Sequence, residues 1–200
     1  MRAFSIHLNQ KTGGYTFMPT IIAIAALVAL AIAWLISTQR KLAVLDENAS
    51  NSMNQIGVQL SCRFDALMSL LNLTRIYARH ESDMLIEAIR SDRIPITALS
   101  TPDDVLHQEW IISGALERIS MVLEQYPELM ENQTYLKALD AVKTFENMVR
   151  TSRLIYNDSV TKLNRELRMF PVSLVAGMLG FGQRDFLKGP AARPGIPITK

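Results

Sequence analysis

The chain has 200 residues, a formal net charge of +2 and a single cysteine, and 48% of its residues are hydrophobic. This length suits one domain with a membrane anchor rather than two full domains. The charge is too small to indicate a nucleic-acid-binding protein, and no basic stripe with interleaved aromatic residues is present. The single thiol, Cys62, excludes both an internal disulfide and a thiolate metal cluster.

A long apolar stretch near the amino terminus predicts a transmembrane helix over residues 15–37, after a short tail of residues 1–14. Sixteen consecutive residues from Ile21 to Ile36 carry no charge, and the whole span is long enough to cross a hydrocarbon core of about 30 Å. A cleaved signal peptide is the alternative, because Ala31-Ile32-Ala33 is similar to a cleavage site. The apolar run continues through that site, which favours an anchor. Basic residues stand on both sides of the span, so the charge count does not assign its orientation.

A second apolar stripe predicts a helix with one buried face between Ile56 and Ile89. The sequence from Ser37 to Ser52 is polar but compatible with a helix, so the membrane helix can continue into this one. Cys62 falls on the polar side of the helical wheel. The residues within about 40° of Leu60 on that wheel are Ile56, Leu60 itself, Phe64, Leu67, Leu71, Ala78, Leu85 and Ile89.

A third helix is predicted to begin at Thr101 and to end before Tyr126-Pro127. Thr101 is a suitable cap, Pro102 suits the first helical position, and Asp103 and Asp104 place negative charge in the first turn. Because these signals coincide, the boundary is predicted from local chemistry alone.

The longest periodic stretch predicts a helix of about ten turns with a continuous apolar seam. The seam repeats close to the 3.5-residue period of coiled coils and bundles, and no proline or glycine interrupts the run from Gln133 to Met169. Such a seam has to pack on other helices. We therefore predict an all-α fold, in which an N-terminal transmembrane helix is followed by long helices that pack on one another. The seam consists of Tyr135, Leu139, Val142, Phe145, Val149, Tyr156, Val160, Leu163, Leu167 and Phe170.

The end of the chain combines an apolar piece with a tail rich in helix-breaking residues. Residues 188–200 hold three prolines and two glycines, which predicts an extended or disordered tail. The end from Phe170 to Phe186 is expected to dock on the membrane surface or on a partner, because a small domain would struggle to bury its apolar residues. Those residues are Leu174, Val175, Met178, Leu179 and Phe181.

No arrangement of residues predicts bond chemistry. His80-Glu81 lacks the second histidine four residues on that a zinc-protease helix requires. A carboxylate-bridged di-metal site in a bundle needs Glu-x-x-His pairs from two helices, and none occurs. No glycine-rich phosphate loop is present. The sequence therefore predicts no enzyme, no metal and no cofactor.

An ordered set of residues over about 130 positions resembles a known family. The set consists of Val58-Gln59-Leu60, Arg63, Tyr77-Ala78, His80-Glu81, Arg118, Glu124-Gln125-Tyr126-Pro127-Glu128-Leu129, Glu146, Arg153, Tyr156-Asn157-Asp158-Ser159-Val160, Asn164, Phe170-Pro171, Ala176, Gly180-Phe181 and Phe186. In order and spacing it resembles the LemA family over roughly residues 42–187. Two departures are that Cys62-Arg63 replaces a usual basic pair and that Met68-Ser69 replaces a usual Pro-Asn pair. Loss of that proline predicts a straighter helix.

The resemblance implies a single-pass protein of the cell membrane with no established enzymatic activity. Its N-terminal transmembrane helix would be followed by an antiparallel bundle of long helices over residues 42–187, which would lie in the cytoplasm. Relatives in magnetic bacteria take part in building magnetosome membranes, and others lie beside genes for membrane metalloproteases. We therefore expect an adaptor or assembly factor held in the lipid bilayer by residues 15–37. The candidate partners are membrane proteins, a membrane protease among them, and a second copy of the chain. The alternative function is a membrane-tethered sensor bundle that binds a small molecule.

The predicted interaction residues lie near the ends of helices or beside the seam. Asn157 and Asn164 are seven residues apart and share one helix face. Polar residues that flank a seam usually fix register or partner choice through hydrogen bonds. The full set is Tyr126, Pro127, Tyr156, Asn157, Asn164, Phe170, Pro171, Gly180 and Phe181.

Overall fold

The computed structural model of the protein describes residues 17–188, and every regular element within this range is a helix. The predicted tail over residues 1–14, the first two residues of the predicted span, and the predicted tail beyond Lys188 lie outside the described residues. The all-α fold with long helices is confirmed. The elements are α1 (Phe17–Thr74), α2 (Arg79–Ser91), α3 (Pro102–Gln125), a 3-10 helix (Pro127–Glu131), α4 (Gln133–Arg168) and α5 (Val172–Val175).

The chain divides into two compact units between Lys41 and Leu42, within the continuous helix α1. In the first unit, residues 18–37 are all exposed and mostly apolar. Twenty helical residues extend about 30 Å, the thickness of a hydrocarbon core. By length and composition this segment is a candidate membrane span. The expected continuation of the membrane helix into the next helix is confirmed, because α1 has no break before Thr74.

The second unit, called the bundle below, is organised by contacts between α1 and α4. Ser52 Oγ lies 3.2 Å from Ser159 Oγ, and Arg63 Nη2 donates a hydrogen bond to Glu146 Oε2 at 3.0 Å. Residue numbers rise along α1 while they fall along α4, so the two helices are antiparallel. The main core cluster takes buried side chains from α1, α2, α3 and α4. A second, smaller cluster contains Leu42, Leu163, Leu167, Val172 and Ala176.

The predicted helix between Ile56 and Ile89 is wrong in one respect, because the structure divides it in two. Helix α1 ends at Thr74, and α2 begins at Arg79 after a turn. The amides of the turn are satisfied locally: Ala78 N donates to Thr74 O at 3.0 Å. The apolar stripe keeps its phase on both sides of the turn, and both halves join the same core cluster. The periodicity of the apolar residues therefore gave no sign of the turn between α1 and α2. Cys62, expected on the polar side, is half-buried.

The predicted start of α3 is confirmed in detail. Thr101 Oγ1 accepts a hydrogen bond from Asp104 N at 3.3 Å, and Asp104 Oδ2 accepts one from Thr101 N at 2.7 Å. These two bonds form a capping box, in which each residue satisfies a free amide of the other. Hydrogen bonds from Thr101 hold the pKa of the Asp104 carboxyl below its ordinary value.

The predicted seam of α4 is buried along the helix but not at its last position. Tyr135 and Leu163 are fully buried, and Asn132 caps the helix by accepting from the amides of Thr134 and Tyr135. Helix α4 ends at Arg168. The expectation that Phe170 continues the seam is wrong, because this residue lies beyond the helix end and is 81% exposed.

A close approach between α1 and the loop that precedes α3 depends on Gly57. A Cβ atom at this position would lie 2.2 Å from the carbonyl oxygen of Ile96, far inside a van der Waals contact. The missing side chain therefore lets the loop lie directly on α1, where the side chain of Ile96 packs against the main core cluster.

We predict that Gly57→Ala lowers the free energy of unfolding although alanine favours a helix. Displacing the loop should cost about 1–3 kcal/mol, more than the gain in helix propensity of up to about 1 kcal/mol. Thermal unfolding of the full chain in detergent, followed by circular dichroism, measures the change. Gly114→Ala in α3 is the matched control, because a Cβ there meets nothing within 4 Å. It should be neutral or stabilising, and equal effects of the two substitutions would contradict the steric explanation.

Candidate functional site

An extended segment after α5, residues 181–188, lies along α4 and is called the C-terminal strap here. Its direction is opposite to that of α4, because Asn164 contacts Arg184 and Asn157 contacts Leu187. Seven helical residues rise about 10.5 Å, and three extended residues cover about 10 Å. The two spacings match, so two asparagines seven residues apart can each hold one residue of an extended chain.

Each of these asparagines binds the main chain of the strap through both ends of its amide. Asn164 Nδ2 donates to Arg184 O at 2.8 Å, and Asn164 Oδ1 accepts from Arg184 N at 3.0 Å. Asn157 makes the same pair of bonds with Leu187, both at 2.9 Å. The geometry imitates the exchange between two strands of a sheet, and it is specific for backbone rather than for side chains.

Two other residues of α4 extend this contact. Tyr156 Oη donates to the carbonyl oxygen of Asp185 at 3.0 Å, and burial raises the pKa of the Tyr156 hydroxyl. Arg153 Nη2 donates to the carbonyl oxygen of Lys188, while Nη1 pairs with Glu109 of α3. The strap is therefore bound by side chains of α4 that extend from Arg153 to Asn164, over about three turns of the helix.

The strap also contacts α1. The guanidinium of Arg184 binds both carboxylate oxygens of Asp46, at 2.7 and 3.1 Å, and donates to Ser50 Oγ at 2.8 Å. Leu187 is buried in the main core cluster. The strap thus joins the two long helices and forms part of the core rather than a free tail.

The other predicted residues near the end of α4 lie in the connection to the strap or at the start of the strap. Phe170 and Pro171 are exposed, and Gly180 has a φ of +81°, a conformation that glycine adopts readily. Phe181, the first residue of the strap, is half-buried and packs against the small second cluster. Phe170, Pro171 and Gly180 therefore belong to the connection between α4 and the strap.

Tyr126 and Pro127 lie at the opposite end of the bundle. Helix α4 begins six residues after Pro127 and extends about 54 Å before Phe170 is reached. The ring of Tyr126 lies 6.0 Å from that of Tyr77 and packs against the main core cluster. The predicted interaction residues therefore do not form one site: the structure brings together Tyr156, Asn157 and Asn164 and separates them from Tyr126.

A buried arginine links α1 with α4. Arg63 is 5% exposed, and its guanidinium donates to Glu146. Burial lowers the pKa of Arg63, an effect that the charges of Glu146 and Glu109 oppose. Together with the Arg153–Glu109 pair, this makes two ion pairs among α1, α3 and α4. Their partners lie far apart in the sequence, so pattern alone could not pair them.

An exposed aromatic surface on α3 was not predicted from the sequence. Trp110 is 70% exposed, and its ring stacks with that of His107 at a centroid distance of 6.4 Å. Trp110 follows Glu109 in the chain, and the exposed Leu154 follows Arg153, so each lies one residue from a member of the Glu109–Arg153 ion pair. Large exposed aromatic residues are frequent anchors of protein interfaces. The signal that could have revealed Trp110 is its direction on a helical wheel, about 160° from the core-facing Ile112.

A polar groove lies between α1 and α4 and has a volume of about 350 Å³, within the range of small-molecule sites. Side chains from both helices line it, among them Asn48, Ser52, Asp158 and Lys162. Within residues 17–188, no three histidine, cysteine, aspartate or glutamate side chains cluster as metal ligands would.

We predict that Asn164→Ala or Asn157→Ala detaches the strap. Each substitution removes two hydrogen bonds and leaves a carbonyl and an amide of the strap unpaired, which should cost about 1–3 kcal/mol. Trypsin should then cut faster after Arg184 and Lys188, as measured by mass spectrometry during limited digestion of the full chain. Asn147→Ala is the matched control, because Asn147 is exposed on the same helix. Unchanged cleavage rates in the Asn157→Ala and Asn164→Ala variants would show that the hydrogen bonds from these two asparagines do not retain the strap.

Comparison with known proteins gives two relatives from one organism. A stretch of 75 residues is 28% identical to Magnetosome protein MamQ 2 and, equally, to Magnetosome protein MamQ 1 of Paramagnetospirillum magneticum (strain ATCC 700264 / AMB-1). The stretch covers 38% of this chain and 28% of each relative. The similarity therefore concerns one segment of those longer proteins.

A match to a family model covers far more of the chain. It extends over residues 52–197 and so includes most of α1 beyond the exposed segment, the other helices and the strap. The asparagines that bind the strap and the ion-paired Arg63, Glu146 and Arg153 all fall within it. The protein belongs to the LemA family.

Proposed function

We propose that the protein is a membrane-anchored adaptor or assembly factor with a non-catalytic role. The observation that carries this proposal is the composition of α1, in which one helix contains an exposed apolar segment of membrane-spanning length and then a stripe buried in the bundle core. A tether of this kind keeps a binding module at the membrane and raises its effective concentration for partners there.

The proposed binding surface contains Trp110 and Leu154, which are both exposed. A broad apolar ring beside an ion pair resembles the centre of a protein interface, where aromatic anchors are surrounded by polar groups. The Glu109–Arg153 pair also connects this surface to the strap, because Arg153 binds both Glu109 and the carbonyl oxygen of Lys188. Occupation of the surface can therefore affect retention of the strap.

Membership of the LemA family supports a membrane-associated helical protein, and LemA is not a known enzyme family. Two relatives are named as magnetosome proteins. We propose that the bundle lies on the cytoplasmic side of the cell membrane and that its partner is a membrane protein, with a membrane protease and a second copy of the chain as further candidates.

Site-specific photocrosslinking in native membranes tests this proposal. A photoreactive residue at position 110 should capture a discrete membrane protein, whereas one at position 99, where Leu99 is exposed on a loop, should not. Trp110→Ala should reduce co-purification of that protein at least about tenfold, the effect of losing an interface anchor of about 1.4 kcal/mol or more. Crosslinks to the chain itself would identify a homo-oligomer instead.

The same experiment tests the contribution of the anchor. Two arginines at the centre of the apolar segment, Leu27→Arg and Ala31→Arg, should oppose insertion by about 2.5–3.5 kcal/mol each. Capture at position 110 should then fall, because the effective concentration at the membrane is lost. If the double-arginine variant leaves the membrane and still captures the partner undiminished, the membrane adaptor is contradicted. It is also contradicted if no exposed position tested in the bundle captures a partner.

A ligand sensor is the second candidate, and the polar groove between α1 and α4 is the observation that favours it. A small polar ligand bound there should raise the melting temperature of the full chain in detergent by several degrees at saturation. Lys162→Ala, at the wall of the groove, should abolish that shift. A screen in which no ligand shifts the melting temperature, or in which Lys162→Ala leaves the shift intact, would contradict this candidate.

A further inference from the structure

Three apolar side chains project from one side of the connection between α4 and the strap. Phe170, Leu174 and Met178 are 81%, 67% and 87% exposed and follow one another at intervals of four residues. Backbone hydrogen bonds of helical type order this connection, such as Ala176 N to Val172 O at 2.9 Å. Phe170, Leu174 and Met178 are called the tip patch below. Such a dense group of large exposed apolar residues indicates an interaction surface.

The opposite side of the same connection is fixed to the bundle. Val172 and Ala176 are buried in the second cluster together with Leu42, Leu163 and Leu167. The connection is thus amphipathic, with one side in a core and the other in solvent. Because its inner side is packed, the tip patch is held at the end of the bundle where Leu42 lies.

Leu42 is close in sequence to the predicted span, which keeps this end of the bundle close to the membrane. Leu42 follows the predicted span, residues 15–37, after an interval of five residues. Five residues reach at most about 18 Å even when fully extended. The connection that carries the tip patch shares a core cluster with Leu42. The tip patch therefore belongs to the part of the bundle that the chain itself keeps near the lipid surface.

The charges beside the patch fit an anionic lipid surface. Arg165 and Arg168 are exposed in the last turn of α4, directly before the connection. Glu166 between them is half-buried. An apolar face flanked by exposed basic residues is the composition of segments that lie in the headgroup region of membranes containing anionic phospholipids.

We propose that the tip patch inserts into the headgroup region of the same membrane that holds the anchor, and so forms a second contact between the bundle and the lipid. This proposal rests on the membrane anchoring of the proposed function. A second contact fixes the orientation of the bundle, which a single helical tether does not do, and it determines which faces of the bundle remain available to a partner.

Depth-dependent quenching in vesicles tests the proposal on the full chain. In a Cys62→Ser background, single cysteines are placed at Leu174→Cys, Ile76→Cys and Leu30→Cys and labelled with an environment-sensitive fluorophore. The proteins are reconstituted in phosphatidylcholine with phosphatidylglycerol, with or without lipids that carry a spin label near the headgroup or in the acyl chain. Ile76 is the matched control for Leu174, because it is 74% exposed and lies beyond the far end of α1, about 48 Å along the helix from Leu42.

The expected result is strong quenching at position 174 by headgroup spin labels, at least twofold above that at position 76. Position 30 should be quenched by acyl-chain spin labels. Omission of phosphatidylglycerol should weaken quenching at position 174 and leave position 30 unchanged. This pattern would establish a shallow, anionic-lipid-dependent contact of the tip patch.

Three results would overturn the proposal. If position 30 is quenched but position 174 is not, the anchor holds while the patch stays in water, and the proposed function survives. If position 174 responds to the protein-to-lipid ratio and not to spin-labelled lipid, a second copy of the chain covers the patch. If positions 76 and 174 are quenched equally, the bundle lies on the lipid without a specific contact. Failure at position 30 would instead contradict the anchoring itself.

Discussion

The antiparallel contact between α1 and α4 is the interaction on which the remaining structure depends. Helix α4 carries an apolar seam over 36 residues, and no helix of that length can hide such a seam alone. Helix α1 supplies the complementary surface within the bundle, from Leu42 at one end to Thr74 at the other. Once these helices are paired, α2 and α3 complete the core, and the strap occupies the line where α1 and α4 meet.

Polar contacts of the strap define the alignment of α1 with α4. Apolar seams alone permit sliding by a heptad, because leucines and valines are interchangeable along them. Bonds from Asn157 and Asn164 to the strap, and from Arg184 to Asp46, are satisfied in one register. The polar residues next to the seam therefore act within the chain to select one alignment of the two long helices.

Local signals in the sequence were sufficient for the elements but not for the contacts between them. The cap at Thr101 and the seam of α4 from Tyr135 to Leu167 are nearest-neighbour or periodic features, and both are as predicted. The break after Thr74 was missed because the apolar stripe keeps its phase across a turn. Phe170 was misplaced for the converse reason, since it keeps the seam's spacing after the helix has ended.

The contacts within the candidate site could not be predicted from the sequence. The spacing of Asn157 and Asn164 draws attention to one face of α4, but their hydrogen-bonding partners are backbone groups of an extended segment, which has no side-chain pattern to recognise. The partners of Arg63 and Arg153 are likewise separated from them by 83 and 44 residues. Trp110 was overlooked because an isolated aromatic residue in an amphipathic helix is usually part of the core.

The long separation between partners has a consequence for biosynthesis. Arg184 and Asp46 are 138 residues apart, and the buried stripe of α1 finds its main partner only when α4 has been synthesised. At about 5–20 residues per second, the interval between synthesis of Leu42 and of Arg168 is on the order of 6–25 s. During that time the apolar face of α1 lacks its partner helix α4 and has only the earlier helices α2 and α3 to cover it. Exposed apolar surface of this kind makes an incomplete chain prone to aggregation, which is the condition that chaperones relieve.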